Sequence, residues 1–256
     1  MPDAVLCIPT KNRHSSLART VARCPGSPLV CDQSVVPYPG SIHRPDLNGL
    51  PAARNVLLHL ADAEVVVFLD DDTDLGADFL TSLEACIHRW PEAVAWGPVL
   101  EVRPRRVRLL HRLVQLGCFR DERRLTGKRL DAPTTALFGA CFAVRRAEAL
   151  AVGFDDHLRG YGLGEDLDFC RRLVAKTGRP LRFCRDLRAI HRCDGANRAD
   201  PVRRGEAKAR FLRWWARRHG GGNPATLLHL GIALLAAALG RGHEPGSWRG
   251  VLKGLG

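Results

Sequence analysis

In the first 90 residues, apolar runs alternate regularly with segments of helical spacing, and this alternation limits the folds that the chain can adopt. The apolar runs are nearly continuous and occupy residues 4–9, 28–32 and 63–70. The segments of helical spacing occupy residues 15–24, with Ser15 or Ser16 as the N-cap, 50–61 and 76–90. Strands buried on both faces have continuous apolar sequences, and helical crossovers join parallel strands. We therefore predict an α/β fold with a mostly parallel, Rossmann-like sheet and helices on both of its faces.

The second half of the chain continues this pattern less regularly. A strand-like run at 134–146 is interrupted by Gly139, and a last strand-like stretch at 180–191 ends at His191. Between them, a helix is predicted from a Gly-rich loop to Gly178. Residues 101–133 are dense in arginine and have little strand signal. The apolar residues 225–240 fall short of the roughly 20 that cross a bilayer, so we predict a packing or interfacial helix there.

Composition and charge bound the class of protein. The 256 residues suit one globular domain with a C-terminal helical extension. Nine cysteines, none at CxxC spacing, and a start that leads directly into a strand predict reduced thiols in a cytoplasmic protein. Residues 1–100 carry 7 Lys and Arg against 12 Asp and Glu, a net charge of −5, whereas the remainder carries 32 against 15, a net charge of +17. The basic half favours an anionic partner: nucleotide phosphates, a phospholipid surface or nucleic acid.

Polar residues follow three of the predicted strands at the point where each strand ends. They are Thr10 to Arg13, Asp32, and the consecutive acids Asp70, Asp71 and Asp72. Because ligands of an open parallel sheet bind at the carboxyl ends of its strands, we expect these residues to face one crevice. A carboxylate cluster is tolerable there if Mg²⁺ or Mn²⁺ neutralises it, and these ions bind substrate phosphates as well. The pattern therefore suggests a metal site with a phosphorylated ligand.

Two other interpretations of the triple aspartate stay open. It can be a solvated acidic loop before a helix, in which Asp74 or Asp78 favours the positive end of the helix dipole. It can also belong to a phosphatase of the haloacid-dehalogenase type, which places D-x-D after a strand. That motif requires Thr or Val two residues after its second Asp, and Asp74 stands there instead.

Two further groups of residues can carry chemistry. Glu165 and Asp166 follow three glycines at a predicted helix N-terminus, where one carboxylate can accept a proton from an attacking hydroxyl. Acids in a first helical turn also complement the helix dipole without any catalytic role. His191 ends the last strand-like stretch, where its imidazole can complete a Mn²⁺ or Mg²⁺ shell, although an isolated histidine is more often a surface or core residue.

Taken together, six segments resemble those of the family 2 glycosyltransferases, in the same order. These are CIPTKNR, VCDQS, GLPAARN, VVFLDDD, FGACFAVRRAEALAVGFDD and YGLGEDLDFCRRL. The resemblance implies a GT-A fold over residues 1–192, with a nucleotide-binding part at about 1–100 and an acceptor-binding part at about 101–192. Residues 193–256 match no part of the family pattern and are expected to form a basic, helical extension.

The resemblance also implies roles for residues that bind the donor. Four residues would line the nucleotide pocket: Pro9, Thr10, Asn12 and Arg13. Asp32 would accept a hydrogen bond from the base, and Arg54 would lie near the base or the diphosphate. Asp70 or Asp71 would face the ribose and phosphate. Gly139 to Cys141, with Ala140 between them, would approach the donor sugar or the acceptor.

For the metal and the reaction, the resemblance implies Asp72 and His191 as ligands of Mn²⁺ or Mg²⁺. Asp166 would be the general base and Glu165 would lie near the acceptor. The expected reaction is an inverting transfer of a sugar from a nucleotide-diphosphate sugar to an acceptor hydroxyl, with metal-stabilised leaving-group charge and an oxocarbenium-like transition state. The turn CDQSVVPYPG departs from the longer Asn-Gly-Ser-rich turn of many members, so UDP-, GDP- and dTDP-sugars all stay open.

Alternatives from other classes stay open as well. One is a catalytically inactive member that binds an anionic polymer through the basic 101–130 segment. Another is a nucleotidyltransferase of similar fold, although its usual Gly-rich loop after the first strand is missing from PTKNRHSSL. The acceptor can be lipid-linked, a glycan, a peptide or a natural product. We expect no specific nucleic-acid partner, and leave a peripheral contact with the inner face of the membrane and a homodimer open.

Overall fold

The computed structural model describes residues 3–100, 129–158, 160, 162–194, 201–220 and 247–255, with three single residues at 228, 231 and 235. The Arg-rich segment 101–128 and most of 225–240 lie outside the described residues, as do the predictions made for them. The strands are β1 (Ala4–Thr10), β2 (Leu29–Asp32), β3 (Ile42–His43), β4 (Val65–Leu69), β5 (Thr73–Leu75), β6 (Ala95–Gly97), β7 (Ala132–Thr134), β8 (Cys141–Arg145), β9 (Leu181–Phe183) and β10 (Ala189–His191). The helices are α1 (His14–Val21), α2 (Leu50–Leu60), α3 (Phe79–Arg89), α4 (Arg146–Val152), α5 (Glu165–Thr177), α6 (Pro201–Trp215), which continues as a π-helical turn (Ala216–Gly220), and α7 (Ser247–Leu255).

Eight strands form one mixed sheet in the order β3-β2-β1-β4-β8-β6-β9-β7. The pairs β3-β2, β2-β1, β1-β4 and β6-β9 are parallel. The pairs β4-β8, β8-β6 and β9-β7 are antiparallel. The predicted mostly parallel sheet is confirmed, with β8 inserted antiparallel at its centre.

Helices cover both faces of this sheet, as predicted. Along β4, Val66 and Phe68 face one core, which includes residues of α2, α4 and α5. Val65, Val67 and Leu69 face the other core, which includes residues of α1 and α3. The strict alternation along a run of five apolar residues explains why β4 has no polar side chain, since each face of the strand meets a helix layer.

Two local predictions from the sequence are wrong. The stretch 180–191 is two strands, because residues after Phe183 leave the main sheet and β10 pairs antiparallel with β5 in a separate two-stranded sheet. Helix α1 begins at His14 without a side-chain N-cap. Ser16 does not cap it, because its buried hydroxyl donates to Asp194 Oδ2 at 2.6 Å.

The C-terminal helices α6 and α7 pack closely through glycines. A Cβ added to Gly250 would lie 1.9 Å from the carbonyl oxygen of Val202, and one added to Gly254 would lie 2.6 Å from that of Glu206. This backbone contact requires residues without side chains. Among the described residues, no helix is both long and apolar enough to cross a membrane.

Candidate active site

The loops that follow β1 and β4 are joined by side-chain contacts. Thr10, the last residue of β1, donates from Oγ1 to Asp71 Oδ2 at 2.7 Å. Arg13 lies beside two acids, with Nη1 3.1 Å from Asp71 Oδ1 and Nη2 2.6 Å from Asp72 Oδ2. The structure thus brings the triple aspartate and the loop after β1 to one edge of the sheet, where the carboxyl ends of parallel strands meet.

Asp70, Asp72 and His191 form a group that can hold a divalent metal ion. Each offers one ligand atom, and these atoms lie within 4.8 Å of one another. The β5-β10 pair sets this geometry, because His191 is opposite Thr73 in the register and its Nε2 lies 3.0 Å from Asp72 Oδ1. Two carboxylates and an imidazole suit Mn²⁺ or Mg²⁺, with positions left for phosphate oxygens.

The surroundings of Asp71 and Asp72 shift their pKa values in opposite directions. Burial raises the pKa of Asp71 to about 7, against the opposing effects of Thr10 and Arg13. Burial acts in the same direction on Asp72, but the hydrogen bonds and charges of His191 and Arg13 outweigh it and lower the pKa of Asp72. Asp72 is therefore the acid that stays ionised most readily, as a metal ligand must.

Arg54 connects Asp70, a member of the candidate metal site, with Glu165. Its side chain has no exposed surface, and its guanidinium lies 5.5–5.8 Å from the centres of three phenylalanine rings. Nη1 donates to Glu165 Oε1 at 2.7 Å, and Nη2 donates to Asp70 Oδ1 at 3.2 Å and to the carbonyl of Gly139 at 2.6 Å. The resemblance placed Arg54 near the base or diphosphate. In this structure its side chain is fully buried and holds Asp70 and Glu165 in place.

Glu165 and Asp166 begin α5 directly after Gly164, whose φ of +81° is in the left-handed region. Burial raises the pKa of Glu165 to about 8 despite its contact with Arg54. Its buried Oε2 has no hydrogen-bond partner among the residues that the structure describes. Asp166 is half-buried, and its Oδ2 accepts from the backbone N–H of Gly139 at 3.1 Å. Burial raises the pKa of Asp70, and the nearby charges of Asp72 and Asp166 act in the same direction. The triple aspartate and the pair Glu165 and Asp166, which are far apart in the sequence, are therefore parts of one site.

The Asp32 carboxylate is enclosed by other groups of the protein and is not open to solvent. Its side chain has no exposed surface. One oxygen accepts from the N–H and the hydroxyl of Ser34, and the other accepts from the N–H of Tyr38 and from His14 Nε2, 2.9 Å away. These contacts fill the four acceptor positions of a carboxylate. Burial opposes ionisation, but the Ser34 hydrogen bonds prevail and lower the pKa of Asp32. A hydrogen bond to a base would require one of these donors to leave.

The other residues singled out from the sequence lie around the same edge. Pro9 pairs with Cys31 between β1 and β2, and Asn12, at φ +57°, donates its N–H to Ser34 Oγ at 2.7 Å. Ala140 is buried beside Gly139, and its carbonyl accepts from the N–H of Asp70 at 3.0 Å. The Ala140 contact fixes the loop after β4 relative to β8, and the Asn12 contact joins the loops after β1 and β2.

The residues that hold the triple aspartate in place were not predicted from the sequence. The N–H of Asp194 donates to Asp72 Oδ2 at 3.0 Å, and the N–H of Arg192 donates to the Asp72 carbonyl at 2.9 Å. Arg192 also forms an ion pair with Asp74 and donates to Thr20 Oγ1 at 2.9 Å. The sequence signal for these residues was the charged pair Arg192 and Asp194 directly after the last strand, to which no role was assigned.

Comparison with solved structures identifies the fold. GalNAc-T7 with UDP, GalNAc and Mn²⁺ has a TM-score of 0.57 over 86% of this chain at 18% identity, and this chain covers 49% of it, about half its length. PcManGT, a mannosyltransferase from Pyrobaculum calidifontis with GDP-Man and Mn²⁺, has a TM-score of 0.56 at 14% identity, with 99% of this chain and 79% of that chain covered. S. aureus TarS with UDP-GlcNAc has a TM-score of 0.52 at 13% identity, with 100% and 80% covered.

No family model matches the sequence, and no curated protein matches it. At the identities of the structural matches, the likeness establishes the fold alone. The predicted GT-A type α/β architecture is confirmed, and the likeness does not establish the reaction.

Proposed function

We propose that this protein is a metal-dependent glycosyltransferase that moves a sugar from a nucleotide-diphosphate sugar to an acceptor hydroxyl with inversion. The observation that carries the proposal is the bridge made by buried Arg54, which joins Asp70 of the candidate metal site to Glu165, the neighbour of Asp166. In the same fold, GalNAc-T7 and PcManGT hold Mn²⁺ with UDP and GDP-Man respectively. Those ligands support a nucleotide-sugar donor here, with the base left open.

The residues divide into a donor side and an attack side. Asp72 and His191, with Asp70, would hold Mn²⁺ or Mg²⁺, which neutralises the charge of the departing diphosphate. Arg13 and Asn12 lie in the loop after β1, with Asn12 exposed and Arg13 partly exposed, and would contact the nucleotide there. Thr10 is buried and shapes that loop through its bond to Asp71.

On the attack side, Asp166 would accept the proton of the acceptor hydroxyl. The acceptor oxygen bonds to the anomeric carbon from the face opposite the diphosphate, and the bond from that carbon to the diphosphate oxygen breaks. Only one proton moves, so one carboxylate suffices. The N–H of Gly139 holds Asp166 by one oxygen, and buried Glu165 sets the position of the turn through Arg54. Direct attack in one step accounts for the expected inversion.

The test is replacement of Asp166 by Asn, after a screen of UDP-, GDP- and dTDP-sugars with Mn²⁺ to find the donor. We expect transfer to fall by about a hundredfold or more while nucleoside diphosphate binding changes little, because the amide cannot accept the proton. Asp62→Asn, at an exposed position in the loop before β4, is the matched control. Wild-type turnover by Asp166→Asn would refute the assignment of the base.

Two outcomes of the donor screen would favour the alternatives. Binding to nucleic acid with a steep salt dependence and no turnover of any donor would favour a protein that only binds an anionic polymer. Release of pyrophosphate from a nucleoside triphosphate, instead of a nucleoside diphosphate from a sugar donor, would favour a nucleotidyltransferase.

For the acceptor, we propose a lipid-linked molecule reached through a peripheral contact with an anionic membrane. Helix α7 exposes Trp248, Leu252 and Leu255, which share one helical face at i, i+4 and i+7. Arg249 and Lys253, the residues that follow Trp248 and Leu252, are exposed on the same helix. Apolar side chains flanked by basic ones are typical of helices that lie on a membrane surface. The double variant Trp248→Ala/Leu252→Ala should lose binding to phosphatidylglycerol vesicles in a flotation assay, and equal binding by the wild type and this variant would contradict the proposal. A homodimer and a cytoplasmic location stay predictions.

A further inference from the structure

The C-terminal segment packs against the turn that carries the proposed catalytic acids. A Cβ added to Gly164 would lie 2.2 Å from Phe211 Cε2, so the phenyl ring of α6 rests directly on the residue before Glu165. Phe211 belongs to an apolar cluster shared by the domain and the segment, whose buried members are Ala136, Leu158, Leu167, Phe211, Leu212 and Trp215. Residues 201–215, which the sequence assigned to an extension, thus complete the environment of the α5 N-terminus.

A second contact lies one turn further along α5. Asp168 has no exposed surface, and its Oδ1 lies 2.9 Å from His219 Nε2 in the π-helical turn. Its other oxygen accepts from Arg172 Nε at 2.7 Å. The imidazole of His219 is in turn held between Trp214 and Trp215, with ring centres 5.6 and 4.5 Å away. A buried carboxylate needs such partners, because an unsatisfied one is costly to keep in the interior.

We propose that Phe211 and His219 are positioning residues, which hold residues 162–168 so that Asp166 stays against the N–H of Gly139. The α5 N-terminus is fixed on its inner side by Arg54 and Gly139, and the C-terminal segment fixes it from the outer side. The inference rests on the proposed function, because it takes Asp166 as the group that receives the proton. A misplacement of about 1 Å in such a group costs up to about a hundredfold in rate.

The test compares His219→Ala with His219→Gln, whose amide N–H can still reach Asp168, and with Arg217→Ala, an exposed position in the same turn. We expect His219→Ala to lower kcat by about tenfold or more, with KM for the donor and Kd for the nucleoside diphosphate within about twofold. His219→Gln should recover most of kcat, and Arg217→Ala should match the wild type. Phe211→Leu is a milder second variant with the same expected split between kcat and KM. An unchanged kcat per folded molecule, or equal losses in kcat and nucleotide affinity, would overturn the proposal.

Amide hydrogen exchange supplies a readout that does not depend on turnover. The N–H of Asp168 bonds to the carbonyl of Gly164 at 3.1 Å and reports on the turn directly. His219→Ala should speed exchange in residues 162–168 by about tenfold or more while β1 stays protected, because only the local opening changes. Unchanged exchange there would overturn the proposed positioning. A wild-type protein that turns over no donor would instead refute the proposed function.

Discussion

Replacement of Arg54 by Met should destabilise the fold, because it removes a buried guanidinium that donates three hydrogen bonds. Methionine keeps most of the volume among the phenylalanine rings but removes the donors to Glu165, Asp70 and the Gly139 carbonyl. The unbonded carbonyl alone should cost about 1–3 kcal/mol in the free energy of unfolding. When Glu165 is also ionised, the stranded charge brings the cost to about 3–5 kcal/mol, as for a broken buried ion pair.

The cost of this substitution should therefore depend on pH. The pKa of Glu165 is about 8, because of burial, so protonation removes the stranded charge in mildly acidic buffer. We expect the loss of stability to be smaller at about pH 6 than at about pH 9. The double variant Arg54→Met/Glu165→Leu should lose less stability than Arg54→Met at about pH 9, because the buried Glu165 carboxylate is no longer left without its partner.

Urea denaturation followed by circular dichroism, with EDTA present to remove bound metal, measures these differences. Arg44→Met is the control, because Arg44 forms an exposed pair with Asp46, and its denaturation midpoint should not change. A loss below about 1 kcal/mol for Arg54→Met at both pH values would refute the reasoning, since it would mean that the buried bridge does not hold the acids.

Two further predictions concern the α5 region. Burial raises the pKa of Glu165 from 4.5 in the unfolded chain to about 8, so the folded state binds the extra proton and this group's contribution to stability falls as pH rises through about 8. The drop in Tm from about pH 6 to about pH 9 should therefore be smaller in Glu165→Gln than in the wild type, and an equal drop would contradict this prediction. Gly164 and Gly178 flank α5 with φ of +81° and +66°, but only Gly164 lies under Phe211. Gly178→Ala should cost about 1 kcal/mol for its backbone conformation, and Gly164→Ala clearly more in the same urea assay.

The order of strands and helices in the first half could be predicted because each element carries its own signal. The run at β4 is apolar at every position, since helix layers cover both of its faces, and α5 ends at Gly178 as expected. The antiparallel direction of β8 could not be predicted, because a buried antiparallel strand has the same continuous apolar sequence as a parallel one. The division of 180–191 into β9 and β10 depends on pairing with β5, which is more than 100 residues away in the chain.

The candidate site could also be predicted from the sequence only in part. The acids and His191 stand out in sequence because they follow strands, and the structure does bring Asp72 and His191 together. The bridge through Arg54 and the contact of His219 with Asp168 join residues 111 and 51 positions apart, and no local pattern marks such pairs. The complete burial of Asp32 also follows from packing of the 32–38 turn, which the sequence does not specify.

The claim that the triple aspartate is a metal-assisted nucleotide site can be tested by calorimetry of nucleoside diphosphate binding with and without Mn²⁺. UDP, GDP and dTDP are titrated into the wild type and into Asp72→Ala, with Asp62→Asn as the control. We predict that one diphosphate binds the wild type and the control only when Mn²⁺ is present, and that Asp72→Ala loses this metal-dependent binding, because Asp72 is the most readily ionised acid of the group. Equal binding by the wild type and Asp72→Ala in the presence of Mn²⁺ would contradict the claim.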